Sequence, residues 1–199
     1  MKFEPKVIQM MRPDVLKAII KGSRRGKNAD MERLYKYSYV KLLNVAVRYT
    51  SNISDAQWYF NMAMLNVFKS LKKYDSSRAY LPWARTLIIR SCIDQLRQKQ
   101  ALHVPLDEAN GSYDNVEDNA DFNLFMNTMD REDVIHQIRM LNDRQRTVFS
   151  LYAIDGYSHK EIEQLTGIKS NTSKWLLAEA KRSLKSYLST HTNTNENAI

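Results

Sequence analysis

Apolar residues in this chain recur at every third or fourth position, the spacing that places them along one side of an α-helix. Ala84, Ile88, Cys92 and Leu96 form one such stripe. Phe60, Met64, Val67 and Leu71 form a second; Leu34, Leu42, Val45 and Tyr49, widened by Tyr35 and Tyr39, form a third. Residues that punctuate strands and hairpins are scarce, with 5 Gly and 4 Pro in 199 residues. Asn110-Gly111 lies in a polar stretch rather than between alternating apolar runs, so it signals no hairpin. The economical fold class is all-α.

The stripes place the elements. A short helix is predicted over 14–21, a basic loop over 22–29, and a helix from about Asp30 to Thr50. Ser54 and Gln57 stand three apart in a capping-box pattern that would open the next helix, running to about Lys73. Pro82 suits the first turn of a third helix, where its missing N–H costs nothing. Residues 103–130 lose the periodicity and read as an acidic linker with a short helix near 122–126. Helix resumes over 131–140 and again from Arg144 to Ile154, closed by Gly156. The tail after about Leu188 is too polar to pack and is expected to be disordered.

The last third holds a helix-turn-helix. Ser158 and Glu161 form a capping box for a support helix over Ser158–Leu165, and Gly167 is its expected C-cap. Ser170 or Asn171 would cap a second helix ending near Leu188. Ile162, Leu165, Ile168, Leu176, Ala180 and Leu184 would hold the pair together. Such a unit presents the first turn of its second helix to base edges in the major groove. Lys169, Ser170, Asn171, Thr172, Lys174 and Trp175 occupy that stretch. Arg144, Arg146, Lys160, Lys181 and Arg182 would supply phosphate contacts. The plainer reading is a helical bundle with a solvated basic face.

Charge agrees with a nucleic-acid partner. The net charge is +8. Residues 1–103 carry 20 basic and 7 acidic side chains, residues 104–133 carry 1 and 9, and residues 134–199 carry 9 and 6. This basic–acidic–basic order suggests two nucleic-acid-facing bodies joined by an acidic strap. The single cysteine, Cys92, excludes an internal disulfide and a zinc cluster and fits a reducing, cytoplasmic setting. The N-terminus lacks the apolar core of a secretory signal, and no apolar run of spanning length occurs. His103, His136, His159 and His191 are scattered without metal-ligand spacing, and no phosphate-binding glycine loop is present. No enzyme, metal or cofactor is expected.

The segment GYSHKEIEQLTGI followed by NTSKWLLAEAKRSLK, extended upstream by LNDRQRTVFSLYAID, resembles the promoter-reading domain of bacterial extracytoplasmic-function (ECF) sigma factors, in the sigma-70 family. Met31–Tyr49, Asp55-Ala56 with Leu65–Asp75, and Tyr80–Arg97 resemble the three helices of that family's N-terminal domain. The likeness covers about 29–100 and 134–188. It implies an N-terminal extension (1–28), a region 2-like domain (29–102), the acidic linker (103–130), a region 4-like domain (131–188) and the tail (189–199). Asn142 stands where the family has proline, Ser170 where it has a small residue, Trp175 where it has a small polar one, and Arg90 where Asn is common.

What the resemblance implies is a sigma factor that binds core RNA polymerase and directs promoter recognition and opening. The N-terminal domain would dock on the polymerase clamp through Asp55, Gln57, Trp58, Asn61, Met62 and Leu65. Here Trp58 replaces an acid, Asn61 replaces Gln and Met62 replaces Glu, so the surface is less acidic and more apolar. Arg78, Arg85, Arg90, Arg97 and Lys99 would track the melted promoter strand, with Tyr80, Trp83 or Tyr74 as a stacking face; core packing is the competing role for Trp83. The acidic linker would mimic nucleic-acid charge within the polymerase, or serve as a solubilising tether. Implied partners are core RNA polymerase, promoter DNA and an anti-sigma factor, without direct membrane insertion. The altered docking segment motivates a second reading, a stand-alone helix-turn-helix regulator derived from a sigma factor. A third is an antagonist that occupies polymerase without opening promoters.

Overall fold

A computed structural model describes residues 11–99 and 131–195. The expected linker over 103–130, with its short helix, lies outside the described residues, as do 1–10 and 196–199. Every regular element described is helical, as the stripes predict. The described residues divide into two compact units, one of residues 11–47 and 52–95, the other of residues 48–51, 96–99 and 131–195.

The first unit opens with α1 (Pro13–Arg24), longer than the expected 14–21. Pro13 stands at its start, and Lys21 and Arg24 lie in its last turn, where the helix dipole favours cations. Next comes α2 (Asn28–Val47), so the loop predicted over 22–29 shrinks to Arg25–Lys27. Gly22 explains the tight junction. A Cβ there would lie 1.8 Å from Asp30 Oδ2, so with any larger residue the Asp30 side chain at the start of α2 would have to move.

Helix α3 (Ile53–Ser70) starts one residue before the expected cap. Asn52 caps it instead of Ser54, its Oδ1 accepting the Asp55 N–H at 2.8 Å. Asparagine ranks with serine among the best N-caps, so sequence alone leaves the two close. A 3₁₀ turn (Leu71–Lys73) ends the element, and α4 (Tyr80–Gln98) follows. The stripes behave as predicted: Leu34, Leu42, Val45, Phe60, Met64, Val67, Leu71, Ala84, Ile88, Cys92 and Leu96 are all buried. Each fully buried Leu, Ile or Phe contributes roughly 1.5–3 kcal/mol of apolar transfer. Arg24 ties α1 to the turn after α3: its Nε donates to the Leu71 carbonyl at 2.8 Å and another guanidinium nitrogen donates to the Tyr74 carbonyl.

The second unit contains α5 (Arg131–Met140) and α6 (Asp143–Phe149), the latter capped by Asn142, whose side chain accepts the Gln145 N–H at 2.9 Å. The element predicted to run to Ile154 changes pitch at Ser150: residues Ser150–Ile154 form a π-helical turn. Then come α7 (His159–Thr166) and α8 (Ser170–Asn195). Helix α8 corrects the tail expectation, since it runs past Leu188 to Asn195. Ile162, Ile168, Leu176, Ala180 and Leu184 are buried, whereas Leu165 is only half-buried.

Candidate nucleic-acid and polymerase interfaces

The α7–α8 junction has helix-turn-helix form. Ser158 and Glu161 make the complete capping box, and Gly167 ends α7 with φ 79°, a conformation that costs glycine little. Ser170 does not cap α8 from outside, nor does Asn171; Ser170 is the first helical residue. Its N–H donates to the Glu163 carboxylate at 3.0 Å and its Oγ at 2.5 Å. Those bonds, the side-chain one foremost, hold Glu163 below the usual carboxylate range. Glu163 thus fixes the turn across seven residues, a bond that no local sequence pattern signals.

On α8, each residue advances about 100° around the axis. Asn171, Lys174, Trp175 and Arg182 therefore share one outward stripe. Asn171, Lys174 and Arg182 are exposed and Trp175 is half-buried; Lys169, just ahead of the helix, is exposed as well. Lys160 on α7 is exposed, and Arg182 carries an ion pair with Glu179. Arg144 is half-buried.

Three expected DNA contacts are corrected. Arg146 is 1% exposed. Its Nη1 donates to the carbonyls of Arg139 (2.7 Å) and Leu141 (2.9 Å), and its other terminal nitrogen pairs with Asp143. It clamps the turn between α5 and α6, where the chain leaves carbonyls without helical partners. Thr172 and Lys181 are 6% and 8% exposed, although Lys181, seven residues after Lys174, lies close to the same side of α8. Burial, with Lys185 second, lowers the Lys181 ammonium from its usual range.

His159, the first residue of α7, forms a cluster that sequence reasoning did not assemble. Its Nδ1 lies 2.8 Å from the Oγ of Ser173, and its ring stacks on Tyr152 with centroids 4.4 Å apart and planes 19° from parallel. Tyr152 belongs to the π-helical turn, an irregularity of the kind that re-aims side chains.

Trp83, Arg90 and Arg97 fall on one face of α4 by the same helical arithmetic, together with Asp94. Arg90 and Arg97 are exposed and Trp83 is half-buried. Arg85 lies on the opposite side and is half-buried; Lys99 is exposed just past the helix end. Arg78 is exposed in the preceding loop, 3.7 Å from Asp75. Tyr80 is corrected as a stacking candidate: it is 3% exposed, and its hydroxyl shares a 2.7 Å hydrogen bond with Ser38. Tyr74 is buried too, leaving Trp83, 4.6 Å from Tyr74 between ring centroids, as the accessible edge of this aromatic group.

On α3, Trp58, Asn61, Met62 and Leu65 share an outward stripe. The polar members are held by α2: Tyr35 donates to Asn61 Oδ1 (2.7 Å), and Gln57 Nε2 donates to the Tyr39 hydroxyl (3.2 Å). Tyr35 and Tyr39 thus do more than widen a buried stripe. Trp58 and Leu65 remain 48% and 53% exposed, Met62 is half-buried and Asp55 is half-buried at the helix start. Trp58 and Leu65, seven residues apart, thus form an exposed apolar strip along α3.

Among the described residues, no group of three or more His, Cys, Asp and Glu is placed to hold a metal ion, and no helix is long and apolar enough to cross a membrane. The search of curated proteins found no match. Family models do match: Sigma-70 region 2 over residues 34–102, and Sigma-70 region 4 over residues 131–184. The two spans together cover more than half of the chain, in the family's order, and each takes in one of the surfaces described above. The chain belongs to the sigma-70 family, whose members serve in promoter recognition and transcription initiation.

Proposed function

We propose that this protein is a sigma factor of the ECF type: it binds core RNA polymerase and directs promoter recognition and opening. The observation that carries the reading is the presence of regions 2 and 4 in one short chain, each with a solvent-facing surface suited to its task. The α8 stripe, with Lys169, Asn171, Lys174, Trp175 and Arg182, holds the upstream duplex element; Lys160 and Arg144 reach adjacent phosphates. Arg78, Arg90, Arg97 and Lys99 follow the phosphates of the melted strand, and Trp83 offers its open edge to an unstacked base. Arg85, on the far side of α4, contributes at most a peripheral contact. Holding two short promoter elements at once raises effective concentration at correctly spaced sites.

Docking on polymerase falls to α3. Trp58, Met62 and Leu65 supply apolar area, and Asn61 and Gln57 are pre-positioned by tyrosines, which lowers the entropy lost on binding. The test is association of the full chain with core polymerase from its source organism. Trp58→Ala should weaken binding at least tenfold, about 1.4 kcal/mol or more for a central aromatic anchor. Circular dichroism should stay unchanged, since Trp58 is half in solvent. Absence of polymerase binding by the unaltered chain would reject the initiation role and favour the stand-alone regulator. An anti-sigma partner would cover these same surfaces. Work in the cytoplasm, where polymerase and promoters are found, follows from the role.

A further inference from the structure

Histidine at position 159 occupies an unusual place for a titratable group. It is the first residue of α7, where the open N–H groups of the helix carry partial positive charge and oppose an imidazolium. One ring nitrogen is tied to Ser173, which is wholly buried in the first turn of α8. One ring face is covered by Tyr152. The second nitrogen, Nε2, has no partner among the described residues. Lys174, adjacent to Ser173, is exposed on the outward stripe.

The charged side chains on the packed elements are Asp155 at the end of the π-helical turn, Lys160, Glu161 and Glu163 on α7, and Lys169 and Lys174 at the start of α8. Both glutamates are engaged elsewhere: Glu161 accepts from Ser158, and Glu163 accepts from Ser170. Burial first, and the Lys174 charge second, lower His159 from its usual range. The free protein therefore carries a neutral ring at pH 7, fixed in orientation, beside two exposed lysines.

We propose that His159 is a DNA-backbone contact that takes up a proton as the duplex binds, so that this domain holds DNA more tightly in mildly acidic solution. The inference rests on the reading of α8 as the duplex-facing helix. A phosphate approaching Lys160 and Lys174 brings the negative charge that the free site lacks. It offsets the repulsion from Lys174 and from the helix end, and Nε2–H becomes a charge-assisted donor to a phosphate oxygen. The sign follows from linkage: a group that binds more protons in the complex than in the free protein strengthens binding as pH falls. The effect saturates below the free protein's lowered value and vanishes above the complex's raised one.

The test is fluorescence anisotropy of the full chain on a labelled random-sequence duplex of about 25 base pairs, at constant ionic strength, because phosphate contacts are sequence-independent. Affinity should rise about threefold to tenfold from pH 8 to pH 6, an average uptake of about a quarter to a half of a proton across that range. His159→Gln should abolish that slope, and His159→Lys should hold binding near the acidic level at every pH. If His159→Gln fails to fold, the His159→Lys chain decides the same point. His136→Gln, altering an exposed histidine on α5, should keep the slope. If Lys174→Ala weakens binding but His159→Gln retains the wild-type slope, this inference falls alone. If Lys174→Ala leaves binding unchanged, the reading of α8 falls, and this inference with it.

Discussion

Arg146 separates a structural role from a DNA contact more sharply than any other basic residue here. Replacing it with Met keeps most of the apolar volume and removes the guanidinium. The Leu141 carbonyl is then left buried without its donor, and the Arg139 carbonyl, partly buried, loses its own. Each orphaned acceptor costs about 1–3 kcal/mol. The ion pair with Asp143, whose side chain is 45% exposed, adds little, about 0–1 kcal/mol. The expected loss is about 3–5 kcal/mol in the second unit. Arg146→Lys keeps the charge but not the planar fork, and should lose roughly half as much. Trp175 is the second unit's tryptophan, so urea unfolding followed by fluorescence in a Trp58→Phe, Trp83→Phe background reports on that unit. Duplex binding by Arg146→Met, measured well below its midpoint, should keep the wild-type salt dependence. Unchanged stability together with a salt slope shallower by about one charge would refute the clamp and restore Arg146 to the DNA surface.

Three further outcomes follow from the geometry. Burial holds the Tyr80 phenol neutral well above its ordinary value, so the first unit should lose stability as pH climbs past about 10, where an unfolded tyrosine ionises. Tyr80→Phe should flatten that alkaline loss in a pH series of thermal melts, while costing about 1 kcal/mol near neutrality for the Ser38 bond. Arg90→Ala and Arg97→Ala should each lessen the salt dependence of single-strand binding by about 0.7 in log–log slope, with unchanged melting temperature. Gly167→Ala should destabilise the second unit by about 1 kcal/mol, read by urea denaturation, because φ 79° strains any Cβ-bearing residue.

The helical architecture was legible because its signals are local. Four-residue apolar spacing, the Ser158–Glu161 box and Gly167 each act within a few residues, and each lies where the pattern places it. The elements shifted where two local signals compete: Asn52 against Ser54 at the start of α3, or Gly22 as an apparent breaker that is in truth a close-packing site. Exposure was less legible. Arg146 and Lys181 look like surface cations in sequence; the open carbonyls after α5 draw Arg146 inward, and Lys181 is buried although its helical phase is close to that of exposed Lys174. Tyr80 looks like a stacking platform, yet Ser38, 42 residues away, claims its hydroxyl. The His159–Ser173 and Glu163–Ser170 bonds cross the turn at separations without a sequence signature.

The central claim is that this chain starts transcription at chosen promoters, and in vitro transcription tests it most directly. Core polymerase from the source organism, with and without the purified chain, would be run on a promoter library and the transcripts sequenced from their 5′ ends. The account predicts chain-dependent start sites that share two short upstream elements at fixed separation, lost with Lys174→Ala and with Trp58→Ala. Polymerase binding without any chain-dependent start site would contradict it.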